Sequence, residues 1–530
     1  MREHGRILIL LTLAAIAVRF STSLLLQQPG YADAYYYAVG AEQLNRGQGF
    51  QEPFIWNYLD TPDTVPHPGF TYWMPLASLI GWLGLVLFGP SFQAMQAPFV
   101  LLSALLAPGA YLVAWDLTRE RKHALLAGVL ALFPGAYAHV FVLPETFAPF
   151  ALGGGLCLWA AGRGLRDQKP AWFALAGLGA GIAHLSRADG LLLAGVTLLF
   201  AAFPLSFGST PGSKRRIASV IANVTLTLIG YLLVMGPWFV RNLAVMGRPL
   251  STSGAASILL TTYDDLFAYG RTPTLDGYLA WGWKEILTSK WDALLTNAGR
   301  LWAEAFGVIL LPFSALGAWR LRGKRLLWPC GIYLPLLFLV MTFIFTFPGP
   351  RGALFHSASA VLPFVYATAG PGLELALRWA VRRLPHWRLT RAWPVFSAGL
   401  VIVCLMVTLF LLYDNVLADP WNQRDVAYQE ANDWLKGQQA QPGLVMAGNP
   451  ASYYWHTAQP AIMIPNEPLT TVLTVADRFG ARYLLLDGSR PRTLDELYAG
   501  SMVADRLAAR WTKGTGQDQI QIYEILEEMP

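Results

Sequence analysis

The chain has 530 residues, 54% of them hydrophobic and only 14% charged, with a mean hydropathy of +0.40. That is too apolar for a soluble protein of this length and predicts many membrane spans. The net charge of +6 resides in basic clusters between apolar segments, which argues against a nucleic-acid footprint. The three cysteines, Cys157, Cys330 and Cys404, all fall inside hydrophobic segments and read as small core residues. No CxxC or HExxH pattern occurs, so no zinc site is expected.

In chain order, residues 7–26 form the first span, too long and without the small-residue cleavage site of a signal peptide. A long outer loop follows over 27–91, holding an amphipathic helix at 35–45 and an apolar segment at 70–88. Five basic clusters follow, around Arg119 and Lys122, Arg163 and Lys169, Lys214 and Arg216, Arg320 and Arg325, and Arg378 and Arg391. With Arg2 and Arg6 they hold 20 of the 39 Lys and Arg residues, so they decide the topology by the positive-inside rule. All five fall inside if 70–88 lies in the outer interface as a juxtamembrane helix. The remaining spans then fall at 92–115, 124–138, 147–161, 171–185, 190–203, 217–240, 301–319, 326–347, 357–375 and 393–413. This gives about eleven transmembrane helices, a cytoplasmic N-terminus and an extracytoplasmic C-terminus in the plasma membrane. Residues 1–413 form the transmembrane domain and 414–530 a small extracytoplasmic α/β domain. In the latter, helices are predicted at 427–437 and 470–480, with strands at 443–447, 483–486 and 520–525.

The residues that can carry chemistry gather on the outer side. They are Asp33 after the first span, His67 before the juxtamembrane segment, and Glu145 in Leu143-Pro-Glu-Thr146. Arg187 and Asp189 follow in one turn, then Arg241 with Asn242, then Arg351 and His356 in Pro350-Arg-Gly-Ala-Leu-Phe-His356. Such a set suits sugar transfer from a polyprenyl phosphate. The reaction needs a base for the acceptor hydroxyl, cations for the leaving phosphate and an apolar groove for the lipid. Asp33 is the natural base. Each residue also has a plainer reading: Asp33 as a helix N-cap, Glu145 as a helix-start acid, the arginines as lipid-phosphate anchors, and the histidines as structural groups. Arg19, late in the first span, can snorkel outward or serve the site.

The order of these features resembles the GT-C class of polytopic glycosyltransferases, in particular the family of protein O-mannosyltransferases and lipid A aminoarabinose transferase, glycosyltransferase family 39-like. The resemblance rests on Arg19, Asp33 with Tyr36 three residues on, Ala41-Glu-Gln-Leu-Asn-Arg-Gly47, His67-Pro-Gly-Phe-Thr-Tyr-Trp73, Leu185-Ser-Arg187 and Pro237-Trp-Phe-Val-Arg-Asn242. It implies the GT-C fold and an inverting transferase using a polyprenyl-phosphate sugar. The resemblance makes Asp33 the catalytic carboxylate and places Glu145 at the family's second outer acid; joined to the outer-side reading above, it leads us to expect Asp33 and Glu145 as catalytic residues and Tyr36, His67, Arg187, Arg241, Arg351 and His356 as substrate-binding ones. The expected partners are a polyprenyl-phosphate sugar donor, a lipid, glycan or protein acceptor and membrane lipids, with no nucleic acid because the basic charge follows the topology, and use of a divalent metal stays open. This sequence departs from the family in having Asp33-Ala34 where many members have an Asp-Glu pair, and Gly69 in place of a second proline. The rival readings are a lipid or glycolipid flippase or transporter, and an inactive scaffold on the same fold. A transporter predicts charges near mid-membrane and internal repeats, whereas here the charges line the outer rim.

Overall fold

A computed structural model describes residues 2–202, 214–251, 253–438, 443–515 and 519–527. The expected span end at Phe203 and the side chains of Lys214, Arg215 and Arg216 lie outside the described residues. The chain forms two compact units. The first comprises Met1–Gln27, Trp73–Leu250 and Leu287–Asp419, and the second Gln28–Tyr72, Ser251–Ile286 and Pro420–Pro530.

The first unit is helical. Among the described residues, six stretches are long and apolar enough to cross a membrane: His4–Ser23, Phe92–Thr118, Ile217–Met246, Arg325–Ile344, Gly349–Arg383 and Leu389–Gly437, the last running on past Asp419 into residues of the second unit. The pair Trp283–Ala305 and Leu310–Arg320, bent by 93°, adds a seventh if taken as one broken span. The spans expected over 124–203 correspond to the helices Arg121–Leu130, Phe147–Asp167, Pro170–Ser186 and Leu191–Ala202. These are shorter or rich in glycine and alanine, and they fall below that mark. The segment expected in the interface forms the helix Leu76–Phe88. At about 1.5 Å per residue its 13 residues fall short of a hydrocarbon core roughly 30 Å thick. It turns at Gly89 and lies against Phe92–Ala104, where a Cβ on Gly84 would come within 2.2 Å of the Ala94 carbonyl oxygen.

Glycine sets these helix spacings, as expected where lipid removes the hydrophobic drive between helices. Pro170–Ser186 packs on Lys214–Met246 with Gly177 against the Thr227 carbonyl and Gly230 against the Ala174 carbonyl, each leaving only 2.1 Å for an added Cβ. Leu310–Arg320 and Leu362–Arg383 meet still more closely. A Cβ on Gly317 would sit 1.8 Å from the Thr368 oxygen, and one on Gly372 the same distance from the Phe313 oxygen.

The basic connections meet at one end of this bundle. Asp116 takes Arg119 at 3.2 Å, Arg163 at 2.7 Å and Arg166 at 3.3 Å. The buried Glu374 takes Lys122 and Arg378 at 2.9 Å each and Arg320 at 3.5 Å. Arg19 behaves differently from the snorkelling expectation. It is 1% exposed and donates to the Leu132 and Ala131 carbonyls at 3.1 and 3.0 Å, closing the end of Arg121–Leu130.

The second unit is an α/β sheet. Its strand order is Phe54–Ile55, Ala461–Met463, Leu444–Ala447, Ala481–Leu486, Ile520–Ile525 and Leu507–Lys513. The first four are mutually parallel and the last two pair antiparallel. The period of two sorts side chains onto opposite faces. Met446, Leu484 and Leu486 enter one core with Val472 and Val475, while Val445, Ala447, Tyr483 and Leu485 enter the other with Tyr428 and Leu435. The expected boundary at 413/414 therefore misses part of this unit. Phe54 pairs with Ala461 and Ile55 with Ile462, so the first outer loop supplies the edge strand. Tyr58 donates to the Met463 carbonyl, and Phe267 and Tyr269 pack on the same core. The reason is physical: a row of unpaired backbone groups at the edge of Ala461–Met463 needs a partner, and residues 54–55 provide it.

Replacing Gly317 or Gly372 by valine should abolish recovery of monodisperse protein in detergent, because backbone oxygens block the added atoms. Gly399→Val, where nothing lies within 4 Å, should leave recovery near wild type in size-exclusion chromatography.

Candidate active site

In the first unit, Glu145 is the centre of a buried polar group. It follows Pro144 and precedes the helix Phe147–Asp167, with 0% of its surface exposed. Its carboxylate accepts from the Phe147 N–H at 3.1 Å and from the Thr146 hydroxyl at 3.0 Å, so it does serve the helix start. The same carboxylate also meets His356 Nε2 at 3.2 Å, 211 residues along the chain. The His356 ring stacks on Phe147 with centroids 3.8 Å apart, and its Nδ1 donates to the Gly352 carbonyl at 2.9 Å. Burial by itself would push the Glu145 carboxyl up. The His356 imidazole and Arg187, together with the hydrogen bonds from His356 and Thr146, outweigh burial and hold it below the ordinary carboxylate range.

Arg187 breaks the helical conformation at the end of Pro170–Ser186, with φ −151° and ψ 141°. Its Nε donates to Asp189 at 3.3 Å. Asp189 accepts from the Ser357 hydroxyl, and Tyr333 donates to the Ser357 carbonyl at 3.1 Å. Tyr137 donates to the Phe355 carbonyl at 2.8 Å. Glu145, Arg187, Asp189 and His356, named from sequence, thus come together. Ser357, Tyr333 and Tyr137 complete the group. They lie inside apolar runs, and only their hydroxyls marked them. Arg241 instead lies over the Trp238 ring at 4.7 Å and donates to Asn242 at 3.1 Å. Arg351 is exposed, in the turn Gly349–Ala353.

In the second unit, Asp33 is half-buried in the first turn of the helix Ala32–Asn45. The residue at the N-cap position is Tyr31, so Asp33 is not the cap. It sits where the helix dipole favours a negative charge. The helix is buried on nearly every side from Ala34 to Ala41, which an amphipathic reading does not anticipate. Tyr36 and His67 meet around Glu52, a residue the sequence reading missed although it precedes Pro53 in the same loop. Glu52 accepts from the Tyr36 hydroxyl and from the Phe70 N–H at 2.7 Å, and lies 3.5 Å from His67 Nε2. Burial pushes the Glu52 carboxyl up, against His67 and these hydrogen bonds. Tyr36 and His67 thereby fix the loop behind Asp33.

Metal-ligand chemistry is present in the first unit at Glu120, His123 and Glu374, whose ligand atoms lie within 4.8 Å of one another. Lys122, Arg320 and Arg378 already neutralise Glu374 there, so this set is an ion-pair network and fits a cation poorly. Glu145 and His356 offer one carboxylate and one imidazole, a better donor pair for a divalent ion.

The fold is that of the GT-C membrane glycosyltransferases. The structure of ArnT from Cupriavidus metallidurans bound to undecaprenyl phosphate matches with a TM-score of 0.56 at 14% identity, covering 97% of each chain. The apo oligosaccharyltransferase of Archaeoglobus fulgidus matches with a TM-score of 0.50 at 14% identity, covering 94% of this chain and 70% of that one. Within this class, the family described as dolichyl-phosphate-mannose-protein mannosyltransferase matches residues 66–240. No curated protein sequence matches the chain.

Burial pushes the His456 imidazole, which bonds Tyr35 of the Asp33 helix at 3.2 Å, down from 6.5 to about 4. A folded value below the unfolded one means that protons favour the unfolded state. The stabilisation is complete above about 6.5 and is lost as pH falls through about 4. The thermal midpoint should therefore fall over that window, and His456→Gln should flatten the fall. An unchanged slope in the variant would contradict the assignment.

Proposed function

We propose that this chain is an integral membrane inverting glycosyltransferase. It moves a sugar from a polyprenyl-phosphate donor to an acceptor hydroxyl at the outer face of the membrane. The observation that carries the reading is the buried pair Glu145 and His356, with the half-buried Arg187 and Asp189 beside it, in a bundle of GT-C fold. Charged groups kept this deep cost free energy unless a ligand or reaction uses them. The motif match at Asp33 and Tyr36 supplies the base.

Asp33 takes the proton of the acceptor hydroxyl as its oxygen bonds to the anomeric carbon. The bond from that carbon to the donor phosphate breaks, and its electron pair leaves with the polyprenyl phosphate. Arg187 neutralises the departing phosphate, with Arg241 and Arg351 as further cations along the same face. Glu145, oriented by His356, holds the sugar or acceptor. A divalent ion, where the enzyme uses one, would draw on Glu145 and His356 and would add charge stabilisation for the phosphate. Tyr36 and His67 act through the loop they fix. The convergence of basic side chains on Asp116 and Glu374 supports a cytoplasmic location for that end and for the N-terminus. The same reading has the C-terminal region extracytoplasmic.

The test is transfer of labelled sugar from a panel of synthetic polyprenyl-phosphate sugars by purified protein. Asp33→Asn should lower kcat about 10²- to 10⁴-fold, the usual worth of a general base, with donor binding intact. Full activity in that variant would remove Asp33 from the mechanism. No donor binding by wild type would remove the transferase reading.

A further inference from the structure

The helix that carries Asp33 begins four residues after Gln28, which makes a tight contact with a segment nearly 400 residues later in the chain. Gln28 Nε2 donates to the Trp421 carbonyl at 2.8 Å and to the Arg424 carbonyl at 2.9 Å. In return, Trp421 Nε1 donates to the Gln28 carbonyl at 3.0 Å, and Arg424 Nη1 donates to the Gly30 carbonyl at 3.3 Å. The Arg424 guanidinium lies over the Trp421 ring at 4.7 Å, and the Tyr31 ring meets the same indole edge-on at 6.0 Å. Trp421 and Gln28 are both buried.

Gly30 shows how closely this contact is fitted. Its φ is +81°, a conformation glycine reaches without strain, and a Cβ there would lie 2.2 Å from the indole. From this point the chain has one extended residue, Tyr31, before the helix starts at Ala32. The indole therefore sets the direction in which the first turn, and Asp33 with it, leaves the contact. The helix is held a second time along its flank by Pro450–Thr457. There the Tyr35 hydroxyl meets His456 Nε2 at 3.2 Å, and Gln43 Nε2 donates to the Tyr454 hydroxyl at 2.9 Å.

We propose that Trp421 and Arg424, backed by Tyr454 and His456, are positioning residues for the Asp33 carboxylate. The C-terminal region then works as a frame for the base and not as a detachable acceptor module. This proposal rests on the reading of Asp33 as the base, but its structural half can be tested without any donor. A displacement of about 1 Å at a reacting group costs as much as roughly a hundredfold in rate.

The experiment uses full-length protein in nanodiscs with Trp421→Phe, Arg424→Ala and Arg424→Lys. Trp421→Phe keeps an aromatic ring but removes the Nε1 donor and the indole edge that faces Gly30. Arg424→Lys retains a donor for the Gly30 carbonyl. Hydrogen exchange should quicken about five- to tenfold at amides 31–38 in Trp421→Phe and Arg424→Ala, while the sheet stays protected and Arg424→Lys recovers most of the loss. In transfer assays the same two variants should lose kcat about ten- to a hundredfold with donor KM unchanged. In an Asp33→Asn background they should cost nothing further. Unchanged exchange at 31–38 overturns the proposal whatever the enzyme transfers. So does a kcat loss that persists in the Asp33→Asn background. Quickened exchange in a protein that transfers no sugar would uphold the frame and reject the transferase reading.

Discussion

Glu145 has no exposed surface, and a carboxylate without water must be neutralised where it sits. Its compensation comes from elements far apart in sequence: Thr146 and Phe147 beside it, His356 at 3.2 Å, and Arg187 through its charge. Arg187 is in turn tied to Asp189, and Asp189 to Ser357. Removing the acid takes away the carboxylate that His356 Nε2 meets, and removing His356 or Arg187 takes compensation from a buried acid, so the connections around 145, 187 and 356 are fixed as one piece. Glu374 does the same elsewhere in the bundle, gathering Lys122 and Arg320 from two other helices and Arg378 from its own. Between these groups the helices need only small residues to approach, and glycine supplies the clearance at Gly177, Gly230, Gly317 and Gly372.

The second unit solves a different problem. A two-residue strand and a 14-residue helix from the first outer loop could not hold a shape alone. They do so by joining a sheet whose other strands lie beyond residue 440. Phe54 and Ile55 complete its edge, and the helix of Asp33 lies along Pro450–Thr457. Glu52, with Tyr36, His67 and the Phe70 amide, closes the loop from within. The candidate base is therefore built on a rigid support, which suits a group whose distance to substrate controls the rate.

Much of this was legible in the residues. Apolar length gave the membrane bundle, and the recurrence of arginine between spans gave its common end. The helices at Ala427–Gly437 and Leu469–Phe479 and the strand Ile520–Ile525 lie where their patterns put them. The misses have physical causes. Phe54–Ile55 is too short to show a period, and its partner is about 400 residues away. Leu507–Lys513 has no fully buried residue, and its first three residues are all apolar, so hydrophobic alternation is absent over most of it. The helix Pro450–Thr457 did carry a signal, with Asn449 as cap and proline at the first position, but it is short and follows a glycine turn. Asp33 reads as a cap only if the helix starts at Ala34, and Tyr31 shows that it starts earlier. The pairing of Glu145 with His356 had no local signature at all.

Photoaffinity labelling decides whether the group around Glu145 receives a polyprenyl phosphate. A polyprenyl phosphate bearing a diazirine beside its phosphate would be added to the protein in nanodiscs, irradiated, and the labelled peptides sequenced. Label should appear in segments 137–147, 183–191 and 351–358, competed away by unlabelled polyprenyl phosphate and lost in Arg187→Ala. Label spread over the exposed apolar faces of the bundle, without competition, would contradict it.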